Sequence, residues 1–452
     1  MDDPAPLRLG EAPTEPSTAY LRQLDEQREA ALVTERHPGS AAEGAPEALR
    51  ARLEALVDEH AAAMAALMID LAEHPEVAFE EHRSAAAIVA ELERAGIPAE
   101  LGVGGLDTAI RAEIGTGQGP RLAILAEYDA LPGVGHGCGH NVIAVMGLGA
   151  FLALARLAAE DPAALPGTVV LLGTPAEEGH TGKEYLARAG VLEGIDAAVM
   201  AHGYPGDDVA DQVWLGRRTL TVEYHGHTAH ASAQPFMGRN ALDAASLLYQ
   251  GIGLMRQQTP PSDRIHAVIR EGGERASVVP DRARLDLYVR SQRPETLRDL
   301  SRRVEDAAHG AALMAGVGVT VTWDHHPPSL PVRTNSALTG RWVEAQRRRG
   351  RDPLPLGVVS ETLAASTDFG NVSYRLPGMH PLIRLAPGDV ALHTREFAAH
   401  AASPAAASAA ADGAYGLAAT VLDVLHDAEL AAQVTAEFEA AGGAIDVPGY
   451  FD

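Results

Sequence analysis

The chain is poor in several residue types, and each scarcity narrows what it can be. Cys138 is the only cysteine among 452 residues, so no internal disulfide can form. That fits a reducing, cytoplasmic setting and leaves the thiol free to act as a metal ligand. Lysine is as scarce: Lys183 stands alone, which argues against Schiff-base chemistry unless that one side chain performs it. Basic residues are outnumbered, 36 Lys plus Arg against 61 Asp plus Glu, for a net charge of −25. A nucleic acid or an anionic membrane surface would be repelled. No uninterrupted apolar run reaches the ~18 residues expected of a membrane span. The N-terminus begins Met-Asp-Asp, without the basic and apolar regions of a secretory signal. The expectation is a soluble protein with no membrane or nucleic-acid partner. Aromatic residues make up 4%, which gives little support to a large aromatic acyl pocket.

What is present suffices for a sizeable core: 46% of residues are hydrophobic and 21% charged, in a length that allows two or three domains. Residues 1–45 are rich in Pro, Ala and Glu and read as a loosely ordered extension with one short helix near Thr18 to Glu35. From Pro46 apolar residues recur at helical spacing through Leu71, and a second amphipathic helix is predicted from Glu81 to Ala95. Short apolar strands then alternate with helices: Leu122 to Ala126, Thr168 to Gly173 and Ala197 to Ala201, with an Ala/Leu-rich helix from Val142 to Ala158. This is an α/β pattern with a mostly parallel sheet, in which ligands collect beyond the carboxyl ends of the strands. A different rhythm, β-α-β-β-α-β, fills residues 213–331 and reads as a ferredoxin-like unit. Because α/β signals resume at Leu338 to Arg348 and Ala405 to Leu425, that unit looks inserted between the two halves, 46–212 and 332–452, of the first domain.

The chemistry-bearing stretch is Gly135-His136-Gly137-Cys138-Gly139-His140-Asn141, where the sole thiol stands one glycine from an imidazole. Thiolate and imidazole that close together suit a transition-metal ion. Glu177-Glu178 follows the next strand; adjacent carboxylates in an extended turn point apart, so one can bind metal while the other faces a water. A bare Glu-Glu is usually a solvated loop pair, and His202 or His393 alone would read as an ordinary histidine. Together, Cys138, His140, Glu178, His202 and His393 offer five donors. Five exceed the four of a closed tetrahedral zinc site and suit two cations about 3.5–4 Å apart. A cysteine hydrolase pairing Cys138 with His140 fails on geometry, since two positions apart on a turn the two side chains seldom face each other.

Seven motifs appear in order: His74-Pro75-Glu76 with Phe79-Glu80-Glu81, Glu127-Tyr128-Asp129-Ala130-Leu131-Pro132, Gly137-Cys138-Gly139-His140-Asn141, Pro175-Ala176-Glu177-Glu178-Gly179, Gly226-His227-Thr228-Ala229-His230-Ala231, Val278-Val279-Pro280-Asp281 and Ser366-Thr367-Asp368-Phe369-Gly370. On these the chain resembles the M20 metallopeptidases, and within them the amidohydrolase branch of aminobenzoyl-glutamate hydrolases, aminoacylase-1-like dipeptidases and N-acyl amino acid hydrolases. The resemblance covers roughly Glu47 to His426. It implies an α/β catalytic domain with two metal ions, interrupted by a ferredoxin-like lid through which family members commonly form homodimers.

By the same resemblance Cys138, His140, Glu178, His202 and His393 are the metal ligands and Glu177 is the general base. Asp129 supports a liganding imidazole, and His230 on the lid reaches toward substrate, often in the partner subunit's site. His227, Asn240 and Arg290 are further substrate-binding candidates, although Asn240 equally fits a helix cap and Arg290 a strand-surface charge. Other branches carry a metal-binding histidine where this chain has Glu127. The implied reaction is hydrolysis of an amide bond by a metal-activated water, with zinc or manganese, and cobalt as a further candidate. N-acyl amino acids, aminobenzoyl-glutamate-like amides and small dipeptides all remain open as substrates, the loops after Pro205 and near Gly357 to Leu363 shaping the pocket. The competing reading is a non-catalytic, metal-stabilised binding or regulatory protein on the same scaffold.

Overall fold

The computed structural model describes residues 16–361 and 365–452. Residues 1–15 of the expected extension and residues 362–363 of the expected pocket loop lie outside the described residues. The predicted first helix forms as Ala19–Thr34 and buries no side chain. Loose order does not persist to residue 45: His37 and Ala45 are buried. The Ala45 N–H donates to Asp423 Oδ1 at 2.7 Å and the Arg347 guanidinium to the His37 carbonyl at 2.6 Å, which ties this strap to the body of the protein.

The first half of the chain supplies β1 (Ala99–Leu101), β2 (Ile110–Gly115), β3 (Arg121–Ala126), β4 (Thr168–Gly173), β5 (Ala197–Val199) and β6 (His202–Pro205). The last part supplies β11 (Gly378–Met379) and β12 (Leu382–Ala386). One six-stranded sheet runs β1-β2-β4-β3-β5-β11, while β6 and β12 pair apart from it. Pairing is parallel from β4 through β3 and β5 to β11, and antiparallel at the β1-β2-β4 edge. That antiparallel edge has no counterpart in the predicted strands. Every residue of β4 and all but the first of β3 are buried, which is why these strands read as continuous apolar runs rather than alternating ones.

The helix His140–Glu160 packs on this sheet and against the helices Glu47–Glu73 and Pro404–His426. By length and composition it is apolar enough to cross a membrane, yet 78% of its most apolar window is buried in the fold, as expected of a core helix. Its approach to β3 is close: a Cβ on Gly147 would lie 3.0 Å from the Leu125 carbonyl oxygen.

Between the two halves lie β7 (Gly216–His225), β8 (Arg264–Glu271), β9 (Arg282–Ser291) and β10 (Gly318–Trp323), with helices Ala241–Met255 and Pro294–Ala315 after β7 and β9. Their sheet has the order β10-β7-β9-β8 and is antiparallel throughout. Burial alternates along β9, so one face meets the helices and the other is open. Leu220, Val222, Leu285, Leu287, Leu297 and Leu300 belong to a hydrophobic cluster separate from the main one. The second helix starts on Pro294 and stops at Gly316, whose φ of +65° is left-handed.

Candidate metal centre and substrate cavity

The candidate donors sit where strands end. β3 runs into Glu127-Tyr128-Asp129, β4 into Pro175-Ala176-Glu177-Glu178, and β6 opens with His202. Gly139, at φ +81°, turns the chain left-handed between Cys138 and His140, the first residue of its helix. Two non-glycine residues of the site also take positive φ, Ala176 at +60° and His393 at +62°. Such backbone costs of order 1–3 kcal/mol and persists where surrounding contacts impose it. Here the His393 N–H donates to the Gly137 carbonyl at 2.8 Å. The Ala176 N–H donates to Glu81 Oε1 at 2.8 Å.

The fold gathers the five donors. Cys138, His140 and His202 form one group, Cys138, Glu178 and His393 a second, and His140, Glu177 and Glu178 a third, with ligand atoms within 4.8 Å of one another in each. Cys138 Sγ lies 3.6 Å from His202 Nε2, His393 Nε2 lies 3.7 Å from Glu178 Oε1, and His140 Nε2 lies 3.9 Å from Glu177 Oε2. The outer ring nitrogens fix the tautomers. His140 Nδ1 donates to Asp129 Oδ1 at 3.0 Å and His202 Nδ1 to the Gly203 carbonyl at 2.6 Å, so both turn an Nε2 lone pair inward. Asp129 also accepts the Glu178 N–H at 2.8 Å and thus orients two donors at once. His140 Nε2 and Glu178 Oε1 are buried with no hydrogen-bond partner among the described residues. Orphaned acceptors amid thiol, imidazole and carboxylate are what a cation would satisfy.

Burial and the neighbouring charges set the protonation. Burial pushes the Cys138 thiol up, with Glu178 adding to the effect. Burial also lowers His202 to about 3, helped by His140. It raises Glu177 well above the usual carboxylate range, with Glu127, Asp368 and Glu178 acting the same way. A fourth acidic group, Glu127, Glu177 and Asp368, already holds a cation. The sole lysine, 1% exposed, pairs with Glu127 and lies 2.6 Å from Asp368 Oδ1. Against the pull of burial, those two carboxylates raise Lys183, the opposite of what a Schiff-base lysine needs. Asp368 also donates its backbone N–H to Glu177 Oε1 at 3.3 Å.

The cluster opens into a cavity of about 510 Å³ whose lining includes Glu177, Glu178, His180, Trp214, Arg217 and Arg290. A larger hollow, about 1120 Å³, is lined by His37 and Asp427 among others but by none of the candidate donors. Of the four candidates named from the sequence within residues 213–331, only Arg290 lines the cavity. Asn240 is a helix cap: its Oδ1 accepts the Leu242 N–H at 3.0 Å and its amide donates to Asp243, which corrects the substrate-binding expectation. His227 and His230 are exposed and do not line the cavity of their own chain. His230 Nδ1 accepts the N–H groups of Ser232 and Ala233, both at 3.2 Å, so its Nε2–H points outward. Sequence reasoning missed Arg217 and the ring cluster of Phe79, His180, Tyr185 and His326 beside the cavity, of which only Phe79 falls in a motif named from the sequence.

Residues 123–414 match peptidase family M20/M25/M40. The chain belongs to that family. It is 37% identical over 413 residues to the mouse Xaa-Arg dipeptidase, covering 89% of this chain and 95% of the relative. It is 28% identical to a subunit of the p-aminobenzoyl-glutamate hydrolase of Escherichia coli, covering 79% and 88% of the two chains. Among solved structures, a dinuclear metal-binding M20 peptidase from Bacillus subtilis has the same fold, with a TM-score of 0.63 at 22% identity over 81% of this chain and 99% of that one. With such relatives, this M20 chain is a metallo-amidohydrolase.

Proposed function

We propose that the chain cleaves the amide bond of a small N-acyl amino acid, an aminobenzoyl-glutamate-like amide or a dipeptide, with two divalent cations held by Cys138, His140, Glu178, His202 and His393. What carries the reading is the convergence of these donors around two buried atoms, His140 Nε2 and Glu178 Oε1, that make no hydrogen bond among the described residues. Thiolate favours zinc, whereas carboxylate and imidazole also accept manganese or cobalt. When bound, such cations polarise a carbonyl and lower the pKa of water toward about 7.

The protein's own groups supply the rest. Glu177 Oε1 is fixed by the Asp368 N–H, and burial among carboxylates gives Glu177 a high proton affinity. It is the general base, taking the proton of the attacking water and handing it to the leaving amine. Asp129 holds His140 in one tautomer, and Arg290 binds the substrate's carboxylate from the cavity wall. Replacing Glu177 by Gln tests the assignment: turnover should fall at least ~10²–10⁴-fold while bound metal, measured by atomic emission, stays at the wild-type ratio. Loss of metal along with activity would make Glu177 a ligand instead.

Residues 213–331 would be the ferredoxin-like lid and dimerisation domain, inserted between 46–212 and 332–452. The supporting observation is the outward Nε2–H of His230, which has no role in its own cavity. In a homodimer it would donate to the developing oxyanion in the other subunit's site. Mixing inactive His230→Ala and Glu177→Gln chains should then restore part of the activity; no recovery in a mixture shown to exchange subunits would confine His230 to its own chain.

A further inference from the structure

Arg217 of β7 and Arg290 of β9 are direct register partners, and both line the cavity. Directly opposed like charges on a sheet repel each other, so this placement is destabilising unless something between them is negative. Elsewhere the same sheet neutralises several of its arginines, while Arg264 of β8, opposite Arg290 on its other side, donates to the Pro261 and Asp263 carbonyls. Arg218, next to Arg217, is held by Asp324 at 2.6 Å, and Asp286 takes both Arg270 and Arg284 at 3.1 Å. The cavity pair is treated differently. Among the described residues neither guanidinium has a carboxylate partner. Arg217, 7% exposed, makes one side-chain hydrogen bond, to the Thr181 hydroxyl at 3.1 Å. Arg290 lies over the Tyr288 ring at 5.5 Å.

A guanidinium offers five N–H donors, and burying one with a single neutral acceptor is costly. A third donor adds to the imbalance: the indole Nε1 of Trp214, also in the cavity lining, is buried without a partner and can only donate. Away from Glu177 and Glu178, the cavity wall is thus rich in unsatisfied donors and positive charge. Its ligand must bring acceptors and negative charge.

We infer that Arg217 and Arg290 form a two-point anion subsite, and that the preferred substrate releases an amino acid bearing a second acidic group, an N-acyl aspartate or glutamate. The inference rests on the amide-hydrolase reading above. One guanidinium is enough to grip, in bidentate fashion, the carboxylate that every N-acyl amino acid carries. Arg290 takes that group, and Arg217, anchored through Thr181 to the loop that carries Glu178, takes the side-chain carboxylate. A cationic side chain in the same place would face two guanidiniums, because the lining carboxylates, Glu177 and Glu178, belong to the candidate metal cluster.

The test compares N-acetylglutamate, its near-isosteric neutral partner N-acetylglutamine and N-acetylarginine, in wild-type, Arg217→Leu and Arg217→Lys enzymes loaded with metal. The wild type should favour glutamate over glutamine by about 10- to 10²-fold in kcat/KM, as expected where a charge-assisted hydrogen bond is exchanged for a neutral one. Arg217→Leu should collapse that ratio toward unity, and Arg217→Lys should recover part of it. Equal or better cleavage of the glutamine or arginine compound by the wild type overturns the inference, as does an Arg217→Leu enzyme with the wild-type ratio. Calorimetric binding of the same three compounds to the metal-loaded Glu177→Gln chain reads the subsite without turnover. If no compound is cleaved, N-acetyl amino acids leave the proposed substrates, and the binding preference for the dianion still decides the subsite.

Discussion

The two sheets of this protein treat their candidate site residues in opposite ways. At the carboxyl ends of the large sheet, nearly every polar side chain is buried and held by a neighbour: Asp129 by His140 and Glu178, Glu127 and Asp368 by Lys183, Glu81 by two backbone N–H groups and Thr108. On the small sheet and its loops the named candidates are exposed, capping a helix or unpaired. The difference separates groups that must keep a fixed geometry from groups that meet a partner from outside. Preorganisation belongs to the first set and recognition to the second.

The comparison breaks most visibly if the buried set is unbalanced. Lys183→Met removes the one ammonium that offsets Glu127 and Asp368, leaving buried carboxylates unpaired. Unfolding in urea should show a loss of about 3–5 kcal/mol, and a loss under 1 kcal/mol would mean that the carboxylates find another partner. Glu81 gives a pH-dependent handle. Burial, with Asp129 adding to it, raises its carboxyl from the ordinary 4.5 to about 7. The folded state then binds more protons than the unfolded state between those values, so stability is highest below about 4.5 and falls as pH rises to about 7. The contribution is of order 3 kcal/mol, and its signature is the difference between wild type and Glu81→Gln, since other groups titrate over the same range. A difference that stays flat with pH would show that Glu81 is ionised throughout. The smallest effect is expected on the small sheet: Asn240→Ala should cost about 1 kcal/mol as a lost helix cap, with kcat/KM unchanged. A large fall in kcat/KM would return Asn240 to the substrate.

Local signals carried a good part of this molecule. The helix Pro294–Ala315 is bounded by a proline and a glycine that mark its ends in the sequence, and the apolar runs of β3 and β4 stand out because both faces are covered. Cys138, His140 and Glu178 are legible for a similar reason, each lying in a short motif at a turn, whereas His202 and His393 stand out only beside the other three. Pairings distant in the chain are not. Lys183 meets Asp368 across 185 positions and Glu127 across 56, so only the fold reveals that the lone lysine is an ion-pair partner. Arg217 sits at the start of a strand in a run of ordinary polarity, and nothing nearby shows that it faces Arg290. Asn240 had two expected roles, and the local one, the helix cap, is the one that its hydrogen bonds show.

The burial of Lys183 has a practical consequence for handling the protein. Reagents that label or couple proteins through lysine ε-amines find no exposed lysine on the folded molecule, because the sole one is 1% exposed and clasped between two acids. Dye incorporation at that single position would therefore mark opening of the fold around the catalytic floor, giving a one-residue clock for local unfolding.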